Sequence, residues 1–223
     1  MSSKEALPII GILGGTGKEG PGLAMRWATA GYRIIIGSRQ LEKAQMVASE
    51  LTQKLGLDTI SGLENGDAAR QADICVLTVV ATAHQPALRG LVDELQGKIV
   101  VDATARVDFR DPRPPEPPSA ARIAQDILGP GARVVAAFQN VPAHALRRNL
   151  DQPLDSDVMV CADDVDAAGQ VIELARGAGM RAYYAGGLDN AIVVESLTAL
   201  LIAMNKFYGT KTASIGVSGI EVK

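Results

Sequence analysis

Three glycines at fixed spacing carry the first chemical signal in this 223-residue chain. In Gly14-Gly15-Thr16-Gly17-Lys18-Glu19-Gly20, the residues Gly15, Gly17 and Gly20 form a G-x-G-x-x-G pattern. A pyrophosphate held on main-chain amides at a helix start needs this spacing: a β-carbon would keep the anion off the backbone, and the helix end is electrically positive. Alone, the pattern also describes any cluster of turn glycines. Its position makes it a dinucleotide signal, because it follows the apolar run Ile9 to Leu13 and opens a segment of helical character, Pro21 to Ala30, that stops at Gly31. The second signal lies about twenty residues on. An NAD site ends its second strand with Asp or Glu, which accepts from the ribose hydroxyls; this chain reads Gly37-Ser38-Arg39. A carboxylate would repel a 2′-phosphate, whereas the Ser38 hydroxyl and the Arg39 guanidinium donate to it, with Lys43 one helical turn further. NADP(H) is favoured. Arg39 and Lys43 could instead form a solvated helix start, but cations there oppose the helix dipole and ask for another reason.

The elements that position these groups alternate. Arg33 to Ile36 reads as the second strand, Leu41 to Leu55 as a helix, Thr59 to Ser61 as a short strand and Glu64 to Gln71 as a short helix. Asp73 to Val80 is apolar enough for a strand buried on both faces. Leu88 to Leu95 reads as a helix, Lys98 to Asp102 as a strand, Ser119 to Leu128 as a helix and Arg133 to Ala137 as a strand. Such alternation predicts an α/β fold with a doubly wound, mostly parallel sheet of Rossmann type. Asp157 to Cys161, Val165 to Arg176 and Met180 to Tyr184 add strand, helix and strand, with Asp163-Asp164 as a helix cap. Asn190 to Phe207 then forms one long apolar helix. No Gly/Ser linker divides the chain, so we expect residues 1–150 to form the dinucleotide-binding domain and residues 151–223 a small C-terminal extension packed on it. The last helix carries Ile192, Val193, Leu197, Leu200, Leu201 and Met204 on overlapping faces, more than one solvated side needs, which predicts a second subunit or a ligand against it. Asp108 to Pro118 holds five prolines and can be neither helix nor central strand, leaving an ordered loop or a lid.

Composition narrows the partners. Lys and Arg number 22 against 25 Asp and Glu, a net charge of -3 without long runs of one sign. Nothing there prepares a surface for nucleic acid or anionic lipid, and small molecules are the expected partners. Two cysteines, Cys75 and Cys161, sit in apolar runs and read as buried thiols in a reducing compartment. No uninterrupted apolar stretch reaches about 20 residues, and Met1 to Leu7 carries Lys4 and Glu5, so a cytoplasmic location is expected, with no membrane.

Several blocks resemble one family throughout the chain. Ile12-Leu13-Gly14-Gly15-Thr16-Gly17, Gly22-Leu23-Ala24, Ile36-Gly37-Ser38-Arg39 and Glu42-Lys43-Ala44 resemble the opening of NADPH-dependent F420 reductases. Asn65-Gly66-Asp67-Ala68-Ala69, Lys98-Ile99-Val100-Val101, Val134-Val135-Ala136-Ala137, Val160-Cys161 with Asp163-Asp164, and Val194-Glu195-Ser196-Leu197-Thr198 follow in the family's order. The resemblance implies reversible hydride transfer between NADPH and the deazaflavin coenzyme F420, in a homodimer, with the C-terminal extension contributing to the acceptor pocket and the dimer contact. It places Thr16, Gly17, Lys18 and Glu19 around the pyrophosphate, and Ser38, Arg39 and Lys43 at the 2′-phosphate. Val79, Val80 and Ala81 come along the nicotinamide half, with Ala105 and Ala143 further round. Two positions depart from the family: Val79-Val80-Ala81 stands where an Ile-Pro-Trp or similar bulky end is common, and Gln139 where a His is common.

Hydride transfer between two bound rings asks the protein mainly to hold donor and acceptor carbons together, so no acid or base is obligatory. Gln139 and Asn140, with Val141-Pro142 after them, could bond the polar edge of a deazaflavin ring or simply make a turn. His84 and His144 are lone histidines near ligand-facing loops, more often surface or structural residues than catalysts. Ser196 and Thr198 could touch ligand or bond back to the preceding helical turn. No nucleophile triad or metal-ligand cluster is apparent. Two alternatives remain at this level: an NADPH-dependent reductase of another acceptor, such as a flavin or a small carbonyl or imine compound, and an NADP(H)-binding module without turnover.

Overall fold

The computed structural model describes residues 6–220; Lys4 and Glu5 of the N-terminal segment lie outside them. The elements run β1 (Ile10–Leu13), α1 (Gly20–Thr29), β2 (Ile34–Ser38), α2 (Leu41–Leu55), β3 (Ile60–Glu64), α3 (Asn65–Gln71), β4 (Ile74–Leu77) and α4 (Ala81–Arg89). They continue with β5 (Ile99–Asp102), α5 (Ala120–Leu128), β6 (Arg133–Ala136), β7 (Val158–Ala162), α6 (Val165–Gly177), β8 (Ala182–Tyr184) and α7 (Ala191–Tyr208). One sheet takes all eight strands in the order β3-β2-β1-β4-β5-β6-β7-β8. Every pairing is parallel except β6 with β7, where Val135 faces Ala162 and Ala136 faces Cys161 in antiparallel register.

The strands are apolar at successive positions because both faces are covered. On one face Ile12, Ile36, Val101 and Val135 pack with Leu23 and Trp27 of α1, Val47 of α2 and Leu174 of α6. On the other, Leu13, Leu77, Val100 and Val134 pack with Ala68 of α3, Leu88 of α4, Leu128 of α5 and Val194 of α7. This is the α/β, doubly wound architecture that the alternation predicts, with the long C-terminal helix in place. Strands β7 and β8 extend the same sheet. Cys75 and Cys161 are free and buried, and burial pushes their thiols up to about 12 and about 11.

One element departs from its expected bounds in a way that moves a candidate site residue. The helix expected over Leu88 to Leu95 is α4, which starts at Ala81, while residues 90–97 form turns. Pro86 lies inside it. Thr82, whose carbonyl loses its amide partner to the proline, and Pro86 are both exposed, so the break falls on the solvent side of the helix, where its cost is small. The strand expected over Asp73 to Val80 correspondingly ends at Leu77, and Val79-Val80 become the connection into α4. By length and composition alone, Leu188–Tyr208 could cross a membrane, with a mean hydropathy of 1.4, yet α7 packs on α5 and β7.

Candidate functional site

The candidate residues gather at the carboxyl ends of the parallel strands, where open α/β sheets bind ligands. Strand β1 stops because Gly14 turns left-handed, with φ +69°. Its amide donates to Asn65 Oδ1 (3.0 Å), and the Gly15 amide is shared between the Ile12 and Gly37 carbonyls (3.1 and 2.9 Å). The three motif glycines differ in what requires them. A β-carbon on Gly15 would come 2.6 Å from the Ile12 oxygen, and one on Gly20 would come 2.6 Å from the Gly15 oxygen. One on Gly17 would meet nothing of the protein closer than 3.8 Å. Packing therefore demands glycine at 15 and 20, while at 17 the space is open. The amides of Thr16, Gly17, Lys18 and Glu19 have no acceptor among the described residues, and α1 opens directly behind them. Free donors and a positive helix end in one place suit a pyrophosphate.

Glu19 is unusual in such a loop. Its Oε1 is enclosed and has no hydrogen-bond partner. Burial, with a smaller contribution from the Asp102 carboxylate, pushes its pKa up to about 8. A carboxyl held neutral can lie beside an anion and donate to it, which an ionised one cannot.

At the end of β2, Ser38 is buried and its Oγ accepts the Gln40 amide (3.2 Å), leaving its own proton to donate. Arg39 and Lys43 are exposed and form no ion pair among the described residues. Thr78 ties the end of β4 to β1 by its amide on the Leu13 carbonyl (3.0 Å), and a β-carbon on Gly14 would strike Val79 Cγ1 at 2.5 Å. Val79 therefore lies against the glycine loop. Val80 is 69% exposed just before α4, and Ala81 is that helix's first residue. Ala105 and Ala143 are half-buried on the loops after β5 and β6.

By sequence His84 is a solitary histidine; in the fold it is not. His84 Nε2 lies 2.6 Å from Asp102 Oδ2, both side chains buried, and Asp102 Oδ1 accepts the Thr104 amide at 2.9 Å. The pair pins the first turn of α4 to the end of β5. Asp102 has one signal in the sequence, a carboxylate that closes an otherwise apolar parallel strand, and its role shows only in the fold. His144 is exposed beside the short turn Ala145–Arg147.

After β6 the chain makes a strained turn: Phe138, fully buried and packed edge-on against Trp27 at 5.7 Å, has φ +74°. A bulky residue in left-handed conformation persists only where its surroundings force it, and such strain gathers at functional sites. It directs Gln139 and Asn140 inward. Gln139 Nε2 donates to the Asp102 carbonyl (2.9 Å) and Asn140 Nδ2 to the Asp157 carbonyl (2.7 Å). Their oxygens, with Thr104 Oγ1, are enclosed without partners. Two acceptors and a hydroxyl are thus fixed at the ends of β5 and β6, with Val141 buried and Pro142 half-buried behind them.

The Glu-Ser-Leu-Thr block of α7 turns out to hold this site together. Glu195, 1% exposed, accepts from the Arg106 amide and Nε (both 2.8 Å) and from the Ala120 amide at the start of α5 (2.9 Å). Arg106 reaches on to the Glu116 and Pro118 carbonyls at 3.0 and 2.6 Å, closing the base of the proline-rich loop. Ser196 bonds back to the Ile192 carbonyl (2.7 Å), and Thr198 donates to the Gln139 carbonyl (2.8 Å). Glu195 was missed because an acid in an apolar helix shows its partner only in three dimensions. Asp164 caps α6 through the Ala167 amide (2.9 Å), while Asp163 pairs with Arg122 (2.9 Å).

A family model described as NADP oxidoreductase, coenzyme F420-dependent, matches residues 9–106. The chain is 40% identical over 225 residues to the F420-dependent NADP reductase of Methanocaldococcus jannaschii, covering 96% of this chain and 99% of that one. It is 39% identical over 221 residues to the F420-dependent NADP reductase of Methanothermobacter thermautotrophicus, covering 95% of each. Among solved structures, a putative F420-dependent NADP-reductase from Arthrobacter sp. FB24 superposes with a TM-score of 0.80 at 25% identity, covering 96% of this chain and 100% of that one.

Proposed function

The chain belongs to the F420-dependent NADP reductases, and from that premise we propose how its own residues serve hydride transfer between NADPH and coenzyme F420. It is an NADP-dependent oxidoreductase whose two substrates are NADP(H) and F420. The observation that carries the assignment of residues is the open space at Gly17 beside four amides without acceptors. That cradle fits a pyrophosphate. We assign Gly15, Thr16, Gly17, Lys18 and Glu19 to it, and Ser38, Arg39 and Lys43 to the 2′-phosphate. Val79, Val80 and Ala81, with Ala105 and Ala143, would flank the nicotinamide. The enclosed oxygens of Gln139 and Asn140 fit N–H donors on the acceptor ring, with Val141 and Pro142 shaping that end. NADPH supplies the hydride and the deazaflavin receives it. The protein's part is positioning: the Asp102–His84 pair and the Thr198–Gln139 bond hold the two sides of the pocket in register, and apolar side chains at the strand ends exclude water. In this reading residues 1–150 serve the dinucleotide and residues 151–223 complete the acceptor side.

Mixing the protein with NADPH and oxidised F420 is expected to bleach the deazaflavin absorbance, with little turnover when NADH replaces NADPH or when FMN or FAD replaces F420. Arg39→Ala should erase most of the preference, because the guanidinium distinguishes only the 2′-phosphate; a wild-type ratio of NADPH to NADH turnover in that variant would refute the assignment.

We assign the uncovered face of α7 to a second copy of the chain, giving a cytoplasmic homodimer. Val193, Leu200, Met204, Phe207 and Tyr208 stand 63%, 53%, 41%, 83% and 71% exposed on it. So much apolar surface on one helix marks an interface. Light scattering at micromolar concentration should give twice the 23.3 kDa chain mass, and Leu200→Lys with Met204→Lys should give the monomer.

A further inference from the structure

The proline-rich loop brings charge to the mouth of the site that the hydride transfer itself does not use. Phe109 and Arg110 sit at its tip, the former 68% exposed and the latter exposed. Lys18 of the glycine loop lies over the Phe109 ring, 5.9 Å from its centre, and Arg147 donates to the Lys18 carbonyl (2.8 Å). From the other side, Lys206 near the end of α7 donates to the Arg110 carbonyl (2.7 Å). Two structural contacts therefore fix the tip between the dinucleotide loop and α7. Of the loop's three carboxylates, Asp108 accepts the Arg110 amide (2.8 Å) and Asp111 pairs with Arg113 (2.9 Å), while Glu116 touches Arg106 only through its main-chain carbonyl. No carboxylate lies within ion-pair distance of Arg110 or Lys206 among the described residues, and the Arg110 guanidinium makes no hydrogen bond among them. In a chain of net charge -3, two neighbouring cations without counter-ions on an ordered loop are a place for an anion.

The position says which anion. Thr198 holds Gln139 at the acceptor pocket, and Lys206 lies eight residues further along the same helix, about 12 Å down its axis. A molecule whose ring reaches Gln139 and whose tail leaves along α7 would pass Arg110 and Lys206. We propose that Arg110 and Lys206 form a subsite for the anionic tail of the deazaflavin substrate, the phosphodiester and carboxylates that follow its ring and ribityl chain and take no part in the redox step. This rests on F420 being the acceptor. The subsite contributes to affinity for F420 and leaves the reacting rings untouched.

The test compares two deazaflavins, F420 and the 8-hydroxy-5-deazariboflavin core that ends at the ribityl chain, with NADPH and the dimeric wild-type protein, Arg110→Ala and Arg110→Glu. The Arg110 side chain is exposed and unbonded, so both variants are expected to fold, which their melting temperatures verify. The KM for F420 should rise about fivefold to tenfold in Arg110→Ala and further in Arg110→Glu, with the effect shrinking as salt rises from about 0.05 to 0.5 M. The KM for the tail-less core and for NADPH should not move. Equal changes for both deazaflavins, or none for either, would overturn the subsite while leaving the reductase assignment standing. Reduction of neither compound by the wild-type protein would overturn both.

Discussion

Replacing Gly17 by alanine should raise the KM for NADPH by about tenfold to a hundredfold while leaving the melting temperature within a degree or two of wild type. The added methyl would meet nothing closer than 3.8 Å in the protein, and Gly17 is not among the left-handed glycines, so the fold accommodates it. A bound pyrophosphate has no such room: the methyl holds it off the amides, and each charge-assisted hydrogen bond lost costs about 1.5–3 kcal/mol. Gly15→Ala and Gly20→Ala are the controls. Both place a β-carbon 2.6 Å from a carbonyl oxygen, and both should lower stability as well as binding. Titration of NADPH fluorescence with parallel thermal melts separates the cases; a Gly17→Ala protein that binds NADPH as tightly as wild type would remove the pyrophosphate from this loop.

The second large effect belongs to Glu19 and to pH. Its carboxyl is raised from 4.5 to about 8 in the folded chain, first by burial and then by Asp102. Between those values the folded protein retains a proton that the unfolded chain has lost. The stabilising contribution is therefore complete below about pH 4.5, declines by roughly 1.4 kcal/mol for each pH unit above it, and is exhausted once pH passes about 8. Glu19→Gln, which stays neutral, should show a flatter fall in melting temperature between pH 6 and 8.5. Binding should follow the same proton: above pH 8 the wild-type loop carries a negative charge beside the pyrophosphate, and NADPH affinity should drop by up to about tenfold per pH unit while the Gln variant holds constant. Parallel pH dependence of Kd in the two proteins would show that Glu19 does not face the nucleotide.

Local pattern was enough to find the glycine loop and the elements on either side of it. The glycine spacing, the strand before it and the helix behind it lie within about twenty consecutive residues, and helix α2 was legible at both ends, Leu41 and Leu55, where the fold adds the left-handed cap Gly56. Helix α4 was misplaced, since a proline inside a helix runs against local preference and only the fold shows Pro86 on the exposed side of it. The ends of β5 and β6 were less legible because their geometry comes from distant pairs. Asp102 and His84 are 18 residues apart, Gln139 and Thr198 are 59 apart and Arg106 and Glu195 are 89 apart. The left-handed Phe138 has no sequence signature, since nothing but packing against Trp27 and its neighbours compels it. Ser196 and Thr198, equal candidates from sequence, part company in the fold: one bonds to its own helix, the other to the Gln139 carbonyl after β6.

Glu195 has a further consequence for how this enzyme can change over evolutionary time. By joining Arg106 to the first amide of α5, it fastens both feet of the proline-rich loop to α7. The span between the feet can then lengthen, shorten or vary its side chains at little cost to the sheet, since loop closure depends only weakly on length once the ends are fixed. In the proposed function, residues on that span would meet an incoming acceptor, whereas the glycine loop and Ser38-Arg39 stand on other elements. On that assignment, donor and acceptor recognition would be inherited separately, and descendants could explore new oxidants through one tethered loop while keeping NADPH.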